Sequence, residues 1–420
     1  MSSKPIPSPR TVAARILARW LLTGDFPDRL IPENTPQRNL VQEMVFGAVR
    51  WCRTLEWLLT AMVSREPDPE TKAYLLTGLY QLYRMDNIPA HAALNETVEA
   101  AKADLDPARV RFVNGVLRNA LRRREAMFSV LARTAPGIRL SHPDLLIERW
   151  SRQYGDAATL ALCEWNNRRP EVFVRLRGSD TPAHAALREM LTPHPVATDF
   201  FRVPAGTAVS ELPGFEAGAF YVQDPATQIA VSLLAPEPGM RMLDACAAPG
   251  GKAFACADRM QDKGVIIAAD LHDDRLRRLR ENAARIHLSC LQIVQADAAS
   301  PAGETVRTNA PFDRILLDVP CSNTGVLNRR PDARWRFAPE RLEALTRLQF
   351  SMLDAAAPLL ADDGILVYST CSLEAEENLQ LVERWLAANP AFRLDEQRTS
   401  LPPESGMDGA FAARLTKQLR

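Results

Sequence analysis

Lysine is scarce in this chain, six residues against 45 arginines, and the 51 basic side chains are matched by 51 acidic ones. A balanced total gives no sign of a polyanion partner. An arginine excess arises from codon usage as readily as from phosphate recognition. Long apolar runs are also missing: no stretch approaches the ~18 residues of a membrane span. The polar, proline-rich start, Met1 to Pro9, lacks the apolar segment of a secretory signal and reads as a short flexible tail on a soluble, cytoplasmic protein. The seven cysteines are odd in number and irregularly spaced, with no Cys-x-x-Cys pair, which argues against a disulfide framework and for reduced thiols. The six histidines (His91, His142, His184, His194, His272 and His287) show no ligand spacing, so no metal is expected. Internal repeats are absent too.

With 420 residues, 46% hydrophobic and 24% charged, the chain has the composition of a globular protein of two or three domains. From Arg10 to about Arg133 apolar residues recur at helical spacing, as in Val12, Ile16, Leu17, Leu21 and Leu75, Leu76, Leu79, Leu82. Breaks at Pro27, Pro36, Pro67, Pro69, Pro89 and Asp106-Pro107 divide this stretch into six or seven helices, an all-α domain over 1–135, with Asp106 as N-cap and Pro107 at the first helical position. Through residue 140 there are 20 basic against 14 acidic side chains. They include Arg118, Arg122, Arg123 and Arg124 on one helical segment, suited to phosphates, with codon bias toward arginine nearly as good an account.

Residues 136–218 read as a small α+β connecting region: helices near Pro143–Tyr154 and Ala157–Trp165, a strand at Val172–Leu176, then loops and short strands. Over 219–420, strand and helix alternate from Gly239 onward, the signature of a Rossmann-like parallel sheet covered by helices. Strands are predicted at Arg241–Cys246, Val265–Asp270, Leu291–Asp297, Phe312–Val319 and Ile365–Ser369. Helices are predicted at Gly251–Met260, Asp273–Ile286, Pro339–Leu360 and Glu374–Ala387. Three strands therefore deliver Asp270, Asp297 and Asp318 to the carboxyl edge, where such sheets bind ligands.

The first strand runs into Asp244-Ala245-Cys246-Ala247-Ala248-Pro249-Gly250-Gly251-Lys252, a glycine-bearing strand-to-helix turn. A phosphate loop needs glycine where Cys246 stands and Ser or Thr where Ala253 stands. The Gly-x-Gly-x-x-Gly dinucleotide fingerprint is absent as well. A nucleoside cofactor without phosphates remains, and S-adenosylmethionine fits, with Asp270 accepting from ribose hydroxyls and Asp297 from an adenine amino group. Helix capping after a strand is the lesser alternative for each aspartate taken singly, and weaker still for the three together.

Two cysteines lie at strand ends on the same edge: Cys321 in Asp318-Val319-Pro320-Cys321-Ser322, and Cys371 in Ser369-Thr370-Cys371-Ser372. A pyrimidine carbon accepts a methyl group only after a nucleophile adds to its neighbour. A cysteine thiolate attacking carbon 6 of cytosine makes carbon 5 enamine-like, and proton loss with thiolate elimination follows methyl transfer. Thiolate is favoured at a helix N-terminus. Cys371 is followed by Ser372 as a plausible N-cap and by Glu374, Glu376 and Glu377 in an acidic first turn; these glutamates oppose ionisation if they face the thiol. Cys52, Cys163, Cys256 and Cys290 read as small core residues, and Cys246 as a contributor of backbone only.

The three segments Asp244 to Lys252, Leu317 to Ser322 and Tyr368 to Ser372 resemble the motifs of the RNA cytosine-5 methyltransferases, a class I methyltransferase family. The N-terminal part is similar to the RNA-binding NusB antitermination family through Leu79 to Leu82, Ile88 to Ala93, Asn95 to Glu99 and Val113 to Arg118. That fusion resembles the members acting on small-subunit ribosomal RNA. The resemblance implies a cofactor site of Cys246, Ala247, Ala248, Pro249, Gly250, Gly251, Lys252, Asp270, Asp297 and Asp318, with Arg275 matching a family arginine and Asp318 also near the base. It implies Cys371 as nucleophile and Cys321 as the residue assisting release, a division the residues alone leave open. It further implies RNA as partner and a monomer producing 5-methylcytidine. Ala253 departs from the family's threonine, and Asp408-Gly409-Ala410-Phe411-Ala412 from a more aromatic ending. Transfer RNA is the alternative substrate, and a non-catalytic RNA-binding or antitermination protein the alternative class.

Overall fold

The computed structural model describes residues 7–32, 34–178, 180–300 and 303–418; most of the expected tail, residues 1–6, lies outside them. The chain gathers into two compact units, 1–168 with 327–336, and 169–326 with 337–420.

In the first unit, seven helices of eight residues or more precede Arg133 among the described residues: Pro9–Thr23, Arg38–Arg50, Cys52–Thr60, Pro69–Arg84, Ala90–Ala101, Pro107–Arg122 and Arg124–Leu131. Their starts are set by caps. Ser8, Asp68 and Asp106 each accept backbone N–H groups of the first turn, and each is followed by proline, whose missing N–H costs nothing there. The Pro69–Arg84 helix is buried nearly all round through Tyr74, Leu75, Leu76, Leu79 and Leu82, which makes it the centre of this core. The arginine cluster is not one helix: Arg122 ends one, Arg123 caps it, and Arg124 opens the next. Helices Asp144–Tyr154 and Asp156–Asn166 belong to this unit, so its boundary falls at Arg168, beyond the 135 expected from sequence.

Residues 327–336 complete this unit. Arg334 has no exposed surface, and its guanidinium donates to the carbonyls of Ser141 (3.0 Å) and Asn166 (3.1 Å), to Asn167 Oδ1 (2.9 Å), and at longer range to those of Arg50 and Leu327. Burial, then repulsion from Arg50, lowers its pKa to about 9. Trp335 Nε1 donates to Val49 O, and Arg50 donates to Asn328 O.

The second unit holds two sheets. Strands β1 (Val172–Leu176), β2 (Thr192–Pro193), β3 (Phe200–Val203) and β4 (Phe220–Val222) form an antiparallel sheet in the order β2-β3-β1-β4. The larger sheet has β5 (Arg241–Asp244), β6 (Val265–Asp270), β7 (Leu291–Gln295), β8 (Phe312–Asp318), β9 (Leu360–Thr370), β10 (Phe392–Ser400) and β11 (Ala410–Lys417), ordered β10-β11-β9-β8-β5-β6-β7. Its β9-β8-β5-β6-β7 portion is parallel, and β11 and β10 join antiparallel. The order in which strands are added reverses between β5 and β8, which opens a crevice at their carboxyl ends. No helix among the described residues is long and apolar enough to cross a membrane.

In the second unit three further sequence expectations change. β7 ends at Gln295, so Asp297 stands beyond the strand. The β10–β11 hairpin was not anticipated. The helix predicted at Glu374–Ala387 begins at Leu379; residues Ala375–Glu377 form a 3-10 turn instead. Glu374 and Glu377 are completely buried, and Tyr368 OH donates to Glu377 O (2.6 Å), which claims a carbonyl that helix would use.

Candidate active site

The cofactor turn is shaped by backbone bonds to the flanking strands: Ala245 N to Leu316 O (3.0 Å) and Ala247 N to Ala269 O (2.8 Å). Gly250 sits at φ +115°, and a Cβ there would lie 2.2 Å from the Phe254 ring, so only glycine fits. Gly251 opens the following helix, and its carbonyl accepts from Gln223 Nε2 (2.7 Å). Asp270, buried at the end of β6, accepts from His272 N (3.0 Å) and Ala248 N (3.3 Å), which ties the second strand to the turn. Cys246 is half-buried; burial and then Asp244 push its thiol well above the ordinary cysteine range.

Lys252, one residue into that helix, places Nζ 2.6 Å from Asp318 Oδ2 at the end of β8. Burial works against the ammonium, but the neighbouring acidic groups, Asp318 foremost, more than offset it and the lysine pKa rises. Asp318 Oδ1 accepts from Ser369 Oγ (2.9 Å), so one carboxylate links the turn, β8 and β9. Asp244, at the end of β5, is 1% exposed, and neither carboxylate oxygen has a hydrogen-bond partner of good geometry among the described residues. Burial, then repulsion from Asp318, raises its pKa to about 7.

The two cysteines meet. Cys321 Sγ and Cys371 Sγ are 3.3 Å apart, and Cys371 Sγ lies 3.4 Å from Asn323 Oδ1. The bond to Cys371, then burial, holds the Cys321 thiol well above the usual range. Asn323 adopts φ +62°, which asparagine tolerates, and its Nδ2 donates to Cys321 O (2.8 Å). Gly325 N donates to Cys371 O (2.9 Å), and Gly409 N to Gly325 O (2.8 Å), packing three loops backbone to backbone. A cavity of about 70 Å³ opens beside Cys371, lined by Asp224, Lys252, Asp318, Asp408 and Phe411 among others.

Cys321, Cys371, Lys252, Asp318, the Cys246–Lys252 turn and Asp270 thus gather at the carboxyl edge. Arg275, on the Asp273–Arg285 helix, and Asp297 are exposed; Asp297 accepts from Ala299 N (2.9 Å). Cys52, Cys163, Cys256 and Cys290 are buried, as expected, and burial pushes Cys163 and Cys290 up to about 12. From the sequence, Asn323 has no role, Asp244 and Ser369 are motif members only, and Glu377 stands only among the glutamates of a first turn. Asp244 ends a strand just as Asp270 and Asp318 do, and that signal was available.

A family model described as 16S rRNA methyltransferase RsmB/F matches residues 231–416, and one described as the NusB family matches residues 7–122. The ribosomal RNA small subunit methyltransferase B of Yersinia pestis is 35% identical over 432 residues, covering 97% of this chain and 98% of its own. A probable enzyme of the same name from Synechocystis is 34% identical, covering 92% of each chain. Among solved structures, a methyltransferase homolog from Pyrococcus horikoshii superposes with a TM-score of 0.58 at 25% identity, over 67% of this chain and 98% of that one. With near full-length identity of this order and both halves matched in place, the chain belongs to the ribosomal RNA small subunit methyltransferase B family, and it is an RNA methyltransferase.

Proposed function

We propose that this enzyme transfers a methyl group from S-adenosylmethionine to carbon 5 of a cytidine in small-subunit ribosomal RNA, through a covalent adduct on Cys371. The observation that carries the reading is the 3.3 Å contact between two strand-end sulfurs beside the cavity edged by Asp318 and Lys252.

The cofactor suits the donor set. Asp244 and Asp270 are buried acceptors at adjoining strand ends, the first without a well-formed hydrogen bond among the described residues, and such groups complement an ammonium and ribose hydroxyls. The Cys246–Lys252 turn with Asp270, Asp297 and Asp318 would hold it, Arg275 standing nearby on its helix. Once bound, S-adenosylmethionine supplies an electrophilic methyl group. The chain's residues do the rest. Deprotonated Cys371 forms a bond to carbon 6 of the cytosine, and the ring electrons that move out make carbon 5 nucleophilic. After methylation the carbon 5 proton passes to solvent, the electron pair of that C–H bond reforms the ring double bond, and the Cys371–carbon 6 bond breaks to return the thiolate. Cys321, kept protonated by its surroundings, assists that release. The target base must leave its stack to reach the cavity. The site of action would be the cytoplasm.

Bisulfite mapping of RNA from cells with and without the gene tests the reaction. One methylcytidine lost from 16S rRNA supports it, a loss confined to transfer RNA replaces the substrate, and an unchanged map ends the enzymatic reading. Cys321→Ala should accumulate a denaturation-resistant RNA adduct and Cys371→Ala none; the reverse pattern exchanges the two roles.

A further inference from the structure

Resting on that reading, we propose that Glu377 is a positioning residue: its carboxylate clamps the loop of Cys321 to the loop of Cys371 and sets the register in which Cys321 serves product release.

Glu377 has no exposed surface. Its Oε1 accepts from Ser322 N (2.9 Å) and Gln349 Nε2 (2.9 Å). Its Oε2 accepts from Ser372 Oγ (2.5 Å) and from Ser322 Oγ. Ser322 directly follows Cys321, and Ser372 directly follows Cys371. One carboxylate therefore holds the next residue of both reactive cysteines, and the two hydroxyls stand 3.0 Å apart across it. Gln349 extends the clamp by donating to Pro320 O (3.0 Å), on the other side of Cys321. Burying a carboxylate is costly unless its lone pairs are filled. Here four donors fill them, two from Ser322 and one each from Gln349 and Ser372, three residues far apart in sequence.

The two loops depend on this clamp unequally. The Cys371 loop has anchors of its own: Asn378 Nδ2 donates to Ser372 O (2.9 Å), Thr370 Oγ1 donates to Asn378 Oδ1 (2.6 Å), and Thr370 is paired with Phe411 in the sheet. Beyond the local bond from Asn323 Nδ2 to the Cys321 carbonyl, the flanking Pro320 and Ser322 are held through Gln349 and Glu377. Loss of the carboxylate thus displaces Cys321 more than Cys371, so attack survives better than release.

The test uses the full-length enzyme, an in vitro 16S rRNA transcript and S-adenosylmethionine with a tritiated methyl group. Glu377→Ala should lower kcat at least tenfold while KM for both substrates stays within about twofold, and it should accumulate covalent adduct as Cys321→Ala does. Glu377→Gln keeps the Oε1 acceptor and lets both serine hydroxyls turn to accept, so it should recover most of the turnover. Ser322→Ala, a change too small to threaten folding, should give the same adduct build-up in milder form. Wild-type turnover with no adduct build-up in Glu377→Ala or Ser322→Ala overturns the inference. So does a Glu377→Ala enzyme that folds but loses adduct formation and turnover in parallel. Should Glu377→Ala fail to fold, Ser322→Ala decides alone. A wild-type enzyme that forms neither adduct nor 5-methylcytidine would instead remove the reading on which the inference stands.

Discussion

Replacing Gly325 by alanine should disable catalysis without touching a reactive group. A Cβ at this position would lie 2.7 Å from Gly409 O, 2.8 Å from Cys371 O and 2.8 Å from Gly409 Cα. All three neighbours are backbone, so no flexible side-chain end can swing away. Ordinary contact begins near 3.4 Å, and the loops must part by about 0.6–0.7 Å. Such overpacking costs about 1–3 kcal/mol, and the hydrogen bond from Gly325 N to Cys371 O is stretched as well. A displacement approaching 1 Å of a reactive group lowers rates by up to about a hundredfold. Gly325→Ala should accordingly lose about ten- to hundredfold in kcat and melt about 2–10 °C lower, measured by tritium transfer to 16S rRNA and by thermal denaturation. Gly115→Ala, where a Cβ meets open space, is the neutral control. A Gly325→Ala enzyme within threefold of wild type and with an unchanged melting temperature would refute the close-packing argument.

Asp244 gives a pH prediction. Its folded pKa of about 7 lies above its value of 3.8 in water, so between these limits the folded state binds more protons and stability falls as pH rises. Asp244→Asn removes that penalty, at most about 4 kcal/mol; it should melt above wild type at pH 8, with the gap closing toward pH 4, while losing affinity for S-adenosylmethionine in calorimetry. Hydrogen peroxide should oxidise Cys321 and Cys371 to a disulfide, each thiol giving up a hydrogen as peroxide becomes two waters; peptide mapping should find that link and dithiothreitol should restore activity, whereas its absence would count against the 3.3 Å contact. Lys252→Met leaves Asp318 without its cation and should cost about 1–3 kcal/mol in urea denaturation, less than a fully buried pair because both side chains keep some exposure.

The parallel sheet was legible because strand-like and helical stretches alternate from Gly239 onward and β6 and β8 end in aspartate, and the helical unit because proline and cap residues punctuate a steady helical period. The Cys321 and Cys371 loops were legible as strand ends. Glu377 was not: three glutamates after a serine look like a solvated first turn, and only donors from Ser322, Gln349 and Ser372 make burial affordable. The β10–β11 hairpin escaped because β10 carries polar residues along most of its length, its outer position needing little apolar surface. Asp244 was seen as the start of a motif, and its isolation becomes visible only when the neighbouring strands close over it.

The residues 327–336 that carry Arg334 leave the second unit after Val326 and return at Phe337, so the chain passes from one unit to the other three times. No single cut yields both parts intact. A fragment ending at Arg168 would lack the guanidinium that satisfies Ser141 O and Asn166 O, and the complementary fragment would carry ten residues shaped for a core it no longer has. The two halves can be exchanged, shuffled or lost in descent only with a matching change in that insert, which makes the fusion hard to undo by one genetic break.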